Sequence, residues 1–105
     1  MSTLDKREAM RRDEALAVLR DRLGDLTPKG VKSLALFGSV ARDEAGPDSD
    51  LDLLVEFEGA ATFDRYMGLK IYLEDLLGSR VDLVMRKALR PRMVPSVERE
   101  AVRVA

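Results

Sequence analysis

The chain has 105 residues, which predicts one domain with a hydrophobic core, residues 1–105, and too little length for a separate acceptor-binding domain. Its composition, 46% hydrophobic and 35% charged, is globular, and 18 basic against 19 acidic residues leave no basic excess for general nucleic-acid or membrane affinity. Without cysteine or histidine, disulfides, thiolate nucleophiles, Cys-based zinc sites and the usual imidazole base are excluded. Any chemistry falls to carboxylates, hydroxyls, Lys/Arg and hard cations.

The first predicted element is a helix from about Leu4 to Leu23. Leu16, Leu19, Leu23 and Leu26 recur at three- and four-residue steps between charged residues, Ser2 or Thr3 is a candidate cap, and Gly24 a candidate stop. The charged run from Lys6 to Glu14 reads as a solvated helical face. No apolar h-region follows Met1 and no apolar run approaches membrane-spanning length, so the expectation is a cytoplasmic protein without a membrane segment.

Thr27-Pro28-Lys29-Gly30 is a turn cluster, and Val31 to Phe37 reads as a strand ending at Gly38. Val40 to Ala45 is compatible with a brief helix, and Gly46-Pro47-Asp48-Ser49 is loop on composition. Leu51 to Phe57 is the strongest strand signal: Leu51, Leu53, Val55 and Phe57 point one way, Asp50, Asp52, Leu54 and Glu56 the other. A helix follows from about Phe63 to Leu77, with Leu69, Leu73 and Leu76 on one stripe, Thr62 as cap and Gly78 as stop. Arg80 to Met85 alternates again, with Val81, Leu83 and Met85 opposite Asp82 and Val84. Lys87 to Ala105, interrupted by Pro91 and Pro95, reads as a short helix running to the carboxyl end.

This order predicts a small α/β (α+β) domain, a mixed sheet with helices on one face. In both alternating strands the acids oppose the all-apolar side, so Asp50, Asp52 and Asp82 are expected on the other face. Aspartates at i and i+2 on a strand lie about 6–7 Å apart along the chain, close enough to converge on a hard cation such as Mg²⁺. A third carboxylate from a neighbouring strand would complete the oxygen-rich half of such a site, able to serve displacement at phosphorus. Gly38-Ser39 supplies a second half: backbone N–H groups and a hydroxyl offered to an anion, with no Cβ to obstruct a phosphate.

The segment Phe37-Gly38-Ser39-Val40-Ala41-Arg42-Asp43-Glu44-Ala45-Gly46-Pro47-Asp48-Ser49-Asp50-Leu51-Asp52 resembles the signature of the polymerase-β-like nucleotidyltransferases: Gly-Ser, ten residues, then Asp-x-Asp. Within that superfamily the chain is similar to the minimal nucleotidyltransferases (MNT), the antitoxins of HEPN–MNT toxin–antitoxin pairs. The likeness continues through Leu77-Gly78-Ser79-Arg80-Val81-Asp82-Leu83-Val84 and Leu89-Arg90-Pro91. The resemblance implies Gly38 and Ser39 at a triphosphate, Asp50 and Asp52 as metal ligands, and Asp82 as third acid and candidate base. Arg42 lies in the motif as a possible phosphate contact, with a plain surface residue as its other reading. Asp43 departs from the glycine common in relatives and brings a negative charge near the phosphate loop.

Other residues have plainer readings. Asp48 fits a turn residue bonding its own backbone, Glu56 a solvated acid, and Tyr66, Met67 and Tyr72 core or partner-facing positions. The function the resemblance implies is transfer of AMP from ATP, with Mg²⁺, to a hydroxyl of a HEPN toxin, a tyrosine for preference, silencing it. A non-catalytic antitoxin that neutralises by binding alone is the alternative; modification of a small molecule such as an aminoglycoside ranks behind both.

Overall fold

A computed structural model describes residues 11–42, 44 and 50–105. The expected cap at Ser2 or Thr3, the start of the first helix, Asp43 and the 46–49 loop with Asp48 lie outside the described residues.

The first described helix, α1, spans Arg12–Asp21 and is entered through Glu14, whose carboxylate accepts the Arg11 N–H at 3.1 Å. It does not run on through Leu23. The backbone breaks at Arg22 (φ −115°, ψ 21°) and a separate turn, α2, covers Leu23–Leu26. Leu16, Leu19 and Leu26 are buried as the stripe predicts, whereas Leu23 is 38% exposed. The break rephases the stripe: Leu26 turns inward where a continuous helix would also have buried Leu23. Gly24 stands inside α2 rather than at a stop, and its low helix propensity favours an interruption here.

Strand β1 (Val31–Phe37) leads into the single turn α3 (Gly38–Ala41), which starts two residues before the expected position; the expected end at Ala45 lies outside the described residues. Strand β2 (Leu51–Phe57) and helix α4 (Phe63–Leu77) have the expected bounds. Thr62 caps α4 by accepting the Arg65 N–H at 3.2 Å, and Gly78 ends it at φ 63°. Strand β3 is Val81–Met85.

The tail is the largest departure. Two short 3₁₀ turns (Arg86–Ala88 and Pro91–Met93) precede α5 (Val94–Glu100), and the chain then forms a two-residue strand, β4 (Val102–Arg103). The expected helix to the carboxyl end therefore stops at Glu100. Val102 and Val104 flank Arg103, two β-branched residues at strand spacing, and the Val104 N–H donates to the Leu34 carbonyl at 2.8 Å with its side chain buried.

The four strands form one mixed sheet in the order β3-β2-β1-β4. β1 is antiparallel to β2 and β4, while β2 and β3 are parallel, joined by the α4 crossover that parallel pairing requires. Leu51, Leu53, Val55 and Phe57 pack with Leu16, Leu19, Leu69, Leu73 and Leu77 in one core. Each such buried leucine contributes about 1.5–3 kcal/mol. Leu77, rather than Leu76, completes the buried stripe of α4. Tyr66 and Tyr72 pack against that core, their hydroxyls donating to the Leu83 carbonyl (2.6 Å) and the Asp25 carboxylate (2.8 Å).

The opposite sheet face is not bare. Leu54, on the aspartate side of β2, is only 5% exposed and shares a cavity wall with Glu98 and Ala101. The carboxylates occupy the end of that face that the tail leaves accessible. Among the described residues no helix is long and apolar enough to cross a membrane.

Candidate active site

Strand register decides what meets at the site. Asp52 pairs with Phe37 of β1 on one side and with Asp82 of β3 on the other. Because β1 runs against β2, it ends where β2 begins, delivering Gly38 beside Asp52. Because β3 runs with β2, it begins at the same level, delivering Asp82. Three chain segments remote in sequence thus converge on one carboxylate.

Gly38 is in the left-handed region (φ 77°), and a Cβ built on it would overlap the Asp52 carboxylate, with Cγ at 2.9 Å. Two independent reasons therefore call for glycine: the backbone conformation and the space Asp52 fills. Ser39 follows at the start of α3, its carbonyl accepting the Glu44 N–H at 2.8 Å.

The electrostatics are those of crowded acids. Burial pushes the Asp52 carboxyl up from 3.8 to about 6, with the charges of Asp82 and Asp50 and a hydrogen bond to Asp82 acting the same way, against a small lowering by Arg42. Asp52 and Asp82 thus lie within hydrogen-bonding reach of one another. Asp50, just ahead of β2, is turned toward Arg80, whose Nε lies 3.2 Å from Oδ1. The structure brings two of the three expected acids together; among the described residues no three acidic groups form a metal-holding cluster. The donor chemistry of the Asp52–Asp82 pair nevertheless fits a hard divalent cation: oxygen ligands only, partly desolvated, and repelling one another.

Arg42 is occupied. Its Nε donates to Glu44 at 2.8 Å, and one terminal nitrogen donates to both Glu100 oxygens at 2.7 and 3.0 Å, linking the end of α3 to α5. These carboxylates raise its pKa further, the Glu44 hydrogen bond most. Beside it a cleft of about 450 Å³ opens between Phe37, Gly38 and Arg42 on one wall and Arg92, Met93 and Ser96 on the other. A second cleft of about 300 Å³, lined by Val55, Phe57, Met85, Arg86 and Lys87, holds none of the aspartates. Sequence reading missed Arg80, Glu100 and Arg92. No local pattern marks them, because each reaches the site through the path of the tail or through a side-chain pairing.

Comparison with known proteins agrees with this geometry. Residues 16–104 match the nucleotidyltransferase domain family. Protein adenylyltransferase MntA of Thermococcus cleftensis is 47% identical over 75 residues, 71% of this chain and 76% of that protein. A solved structure assigned to the minimal nucleotidyltransferases superposes with a TM-score of 0.78 at 44% identity, covering 89% of this chain and 95% of the other. A tri-AMPylated Shewanella oneidensis HEPN toxin in complex with its MNT antitoxin gives a TM-score of 0.63 at 21% identity, covering 90% and 71%, a likeness of fold alone.

Proposed function

This chain belongs to the nucleotidyltransferase domain family, and on that premise we propose that it is an antitoxin that transfers AMP from ATP to a hydroxyl of a cognate HEPN toxin. The observation that carries the reading is the convergence of Gly38, Asp52 and Asp82 at one level of the sheet. The relative from Thermococcus cleftensis carries the name of a protein adenylyltransferase, and a fold neighbour is complexed with a HEPN toxin.

In this reading the protein works as a single nucleotidyltransferase domain in the cytoplasm. Asp50, Asp52 and Asp82 are the residues that would hold Mg²⁺, Asp50 being paired with Arg80 in the structure. Bound there, Mg²⁺ supplies the positive charge that lets carboxylates and phosphates share one site. Gly38 leaves room for the triphosphate, and Ser39 offers it a hydroxyl and a backbone N–H. Asp82, the most open of the strand acids, takes the proton of the acceptor hydroxyl. The acceptor oxygen bonds to the α-phosphorus, the bond between α-phosphorus and its bridging oxygen to the β-phosphate breaks, and pyrophosphate leaves. The acceptor we favour is a tyrosine.

The test is a neutralisation assay with Asp50→Asn/Asp52→Asn. The reading expects the double variant to bind the toxin without modifying it and to lose most of its protection. Equal modification and protection by the variant would overturn the catalytic assignment. A second reading, neutralisation by binding alone, draws on the Asp50–Arg80 ion pair, which engages the third acid with a side chain of the protein itself.

A further inference from the structure

Two arginines line the 450 Å³ cleft, and they are not equivalent. Arg42 is the one the sequence motif points to, yet it has two carboxylate partners, Glu44 and Glu100, contacted through three hydrogen bonds of 2.7–3.0 Å. To reach a phosphate it would have to give up both, and its charge is already more than offset by them. Arg92, on the facing wall, makes no ion pair or hydrogen bond among the described residues. It is carried on the turn Pro91–Met93, where Pro91 fixes the backbone just ahead of α5 and Pro95 stiffens the first turn of that helix. The cleft floor at Gly38 abuts Asp52, so an anion lodged there lies beside crowded carboxylates and needs a cation from the protein.

We propose that Arg92 is the phosphate-binding arginine of this cleft, contacting the polyphosphate of the nucleoside triphosphate, and that Arg42 is a positioning residue that ties α3 to α5 and sets the width of the cleft. The proposal rests on the nucleotidyltransferase reading above and deepens it by naming the residue that meets the substrate's charge. A guanidinium suits the task because its planar fork can engage two phosphate oxygens at once. The Arg42–Glu100 pair then has a function of its own: it ties the wall that carries Gly38 to α5, the helix that directly follows the Arg92 turn.

The experiment is equilibrium binding of AMP-PNP with Mg²⁺ to the full chain by calorimetry, with thermal melting of every variant alongside. Arg92→Gln is expected to weaken binding by about tenfold or more with an unchanged melting temperature, and Arg92→Lys to recover part of the loss. Arg42→Gln and Glu100→Gln are expected to behave alike, lowering the melting temperature and weakening binding by a smaller factor. That equivalence is the signature of a strut, since removing Glu100 from a true phosphate arginine would free it and tighten binding. Wild-type affinity in Arg92→Gln, or a loss confined to Arg42→Gln with tighter binding in Glu100→Gln, overturns the assignment while leaving the nucleotide reading intact. A wild-type chain that binds no AMP-PNP overturns both.

Discussion

Gly38 and Asp52 occupy one another's space: the glycine, at φ 77°, leaves the volume of a Cβ to the aspartate carboxylate. The phosphate-loop half and the acid half of the site are therefore one packed unit. Gly38→Ala is expected to cost about 2 kcal/mol in folding stability, from the left-handed backbone and the displaced carboxyl together, and to abolish transfer. Gly78→Ala is the control. Gly78 has a similar φ of 63° but nothing within 4 Å of a built Cβ, so it should lose about 1 kcal/mol and keep its activity. Urea denaturation of both variants checks the difference.

Asp52 also sets a pH dependence. Its carboxyl is raised to about 6 in the folded chain, so the native state holds the proton more tightly than the unfolded one. Stability in the absence of divalent ions should be highest below about pH 4 for this group and fall as pH rises toward 6, opposite to the trend of an acid in a salt bridge. The loss should be on the order of 1 kcal/mol, since solvent reaches part of the group and screens it. Asp52→Asn should remove that slope and melt higher than wild type at pH 7, while losing activity. A melting series in EDTA from pH 4 to 7 measures it, and a wild-type curve parallel to that of Asp52→Asn would contradict the account.

Tyr66 supports the site from behind. Its hydroxyl donates to the Leu83 carbonyl at 2.6 Å on β3, an edge strand with carbonyls that no neighbouring strand pairs, one residue beyond Asp82. Tyr66→Phe should cost about 1 kcal/mol and lower the transfer rate more than it raises the KM for ATP. Denaturation together with steady-state kinetics tests both effects.

The break in the first helix predicts unequal leucines. Leu19→Ala should cost about 2–5 kcal/mol because Leu19 is fully buried, whereas Leu23→Ala should cost less than about 1 kcal/mol. Equal losses would mean that Leu23 is packed as a continuous helix would pack it.

These cases show which features the sequence carries and which it does not. The bounds of β2 and α4 are legible because alternation, a Thr62 cap and a Gly78 stop are all local signals. The Asp52–Asp82 juxtaposition is foreshadowed by parity, which depends on side-chain alternation alone, though the register that makes it exact needs the sheet. Leu23 is misread because its stripe position is right for a helix that the chain does not continue. β4 is missed because a two-residue edge strand is defined by its partner β1, and Arg80 and Glu100 because an ion pair between distant residues leaves no local pattern.

The central claim, that the Asp52–Asp82 site moves AMP onto a partner, is tested most directly by the intact mass of the co-expressed HEPN toxin. The account predicts that toxin made with the wild-type chain gains the mass of one AMP or a whole multiple of it, on tyrosine, and that toxin made with Asp52→Asn gains none. Toxin that is unmodified yet neutralised by the wild-type chain, or equally modified in the presence of Asp52→Asn, would contradict it.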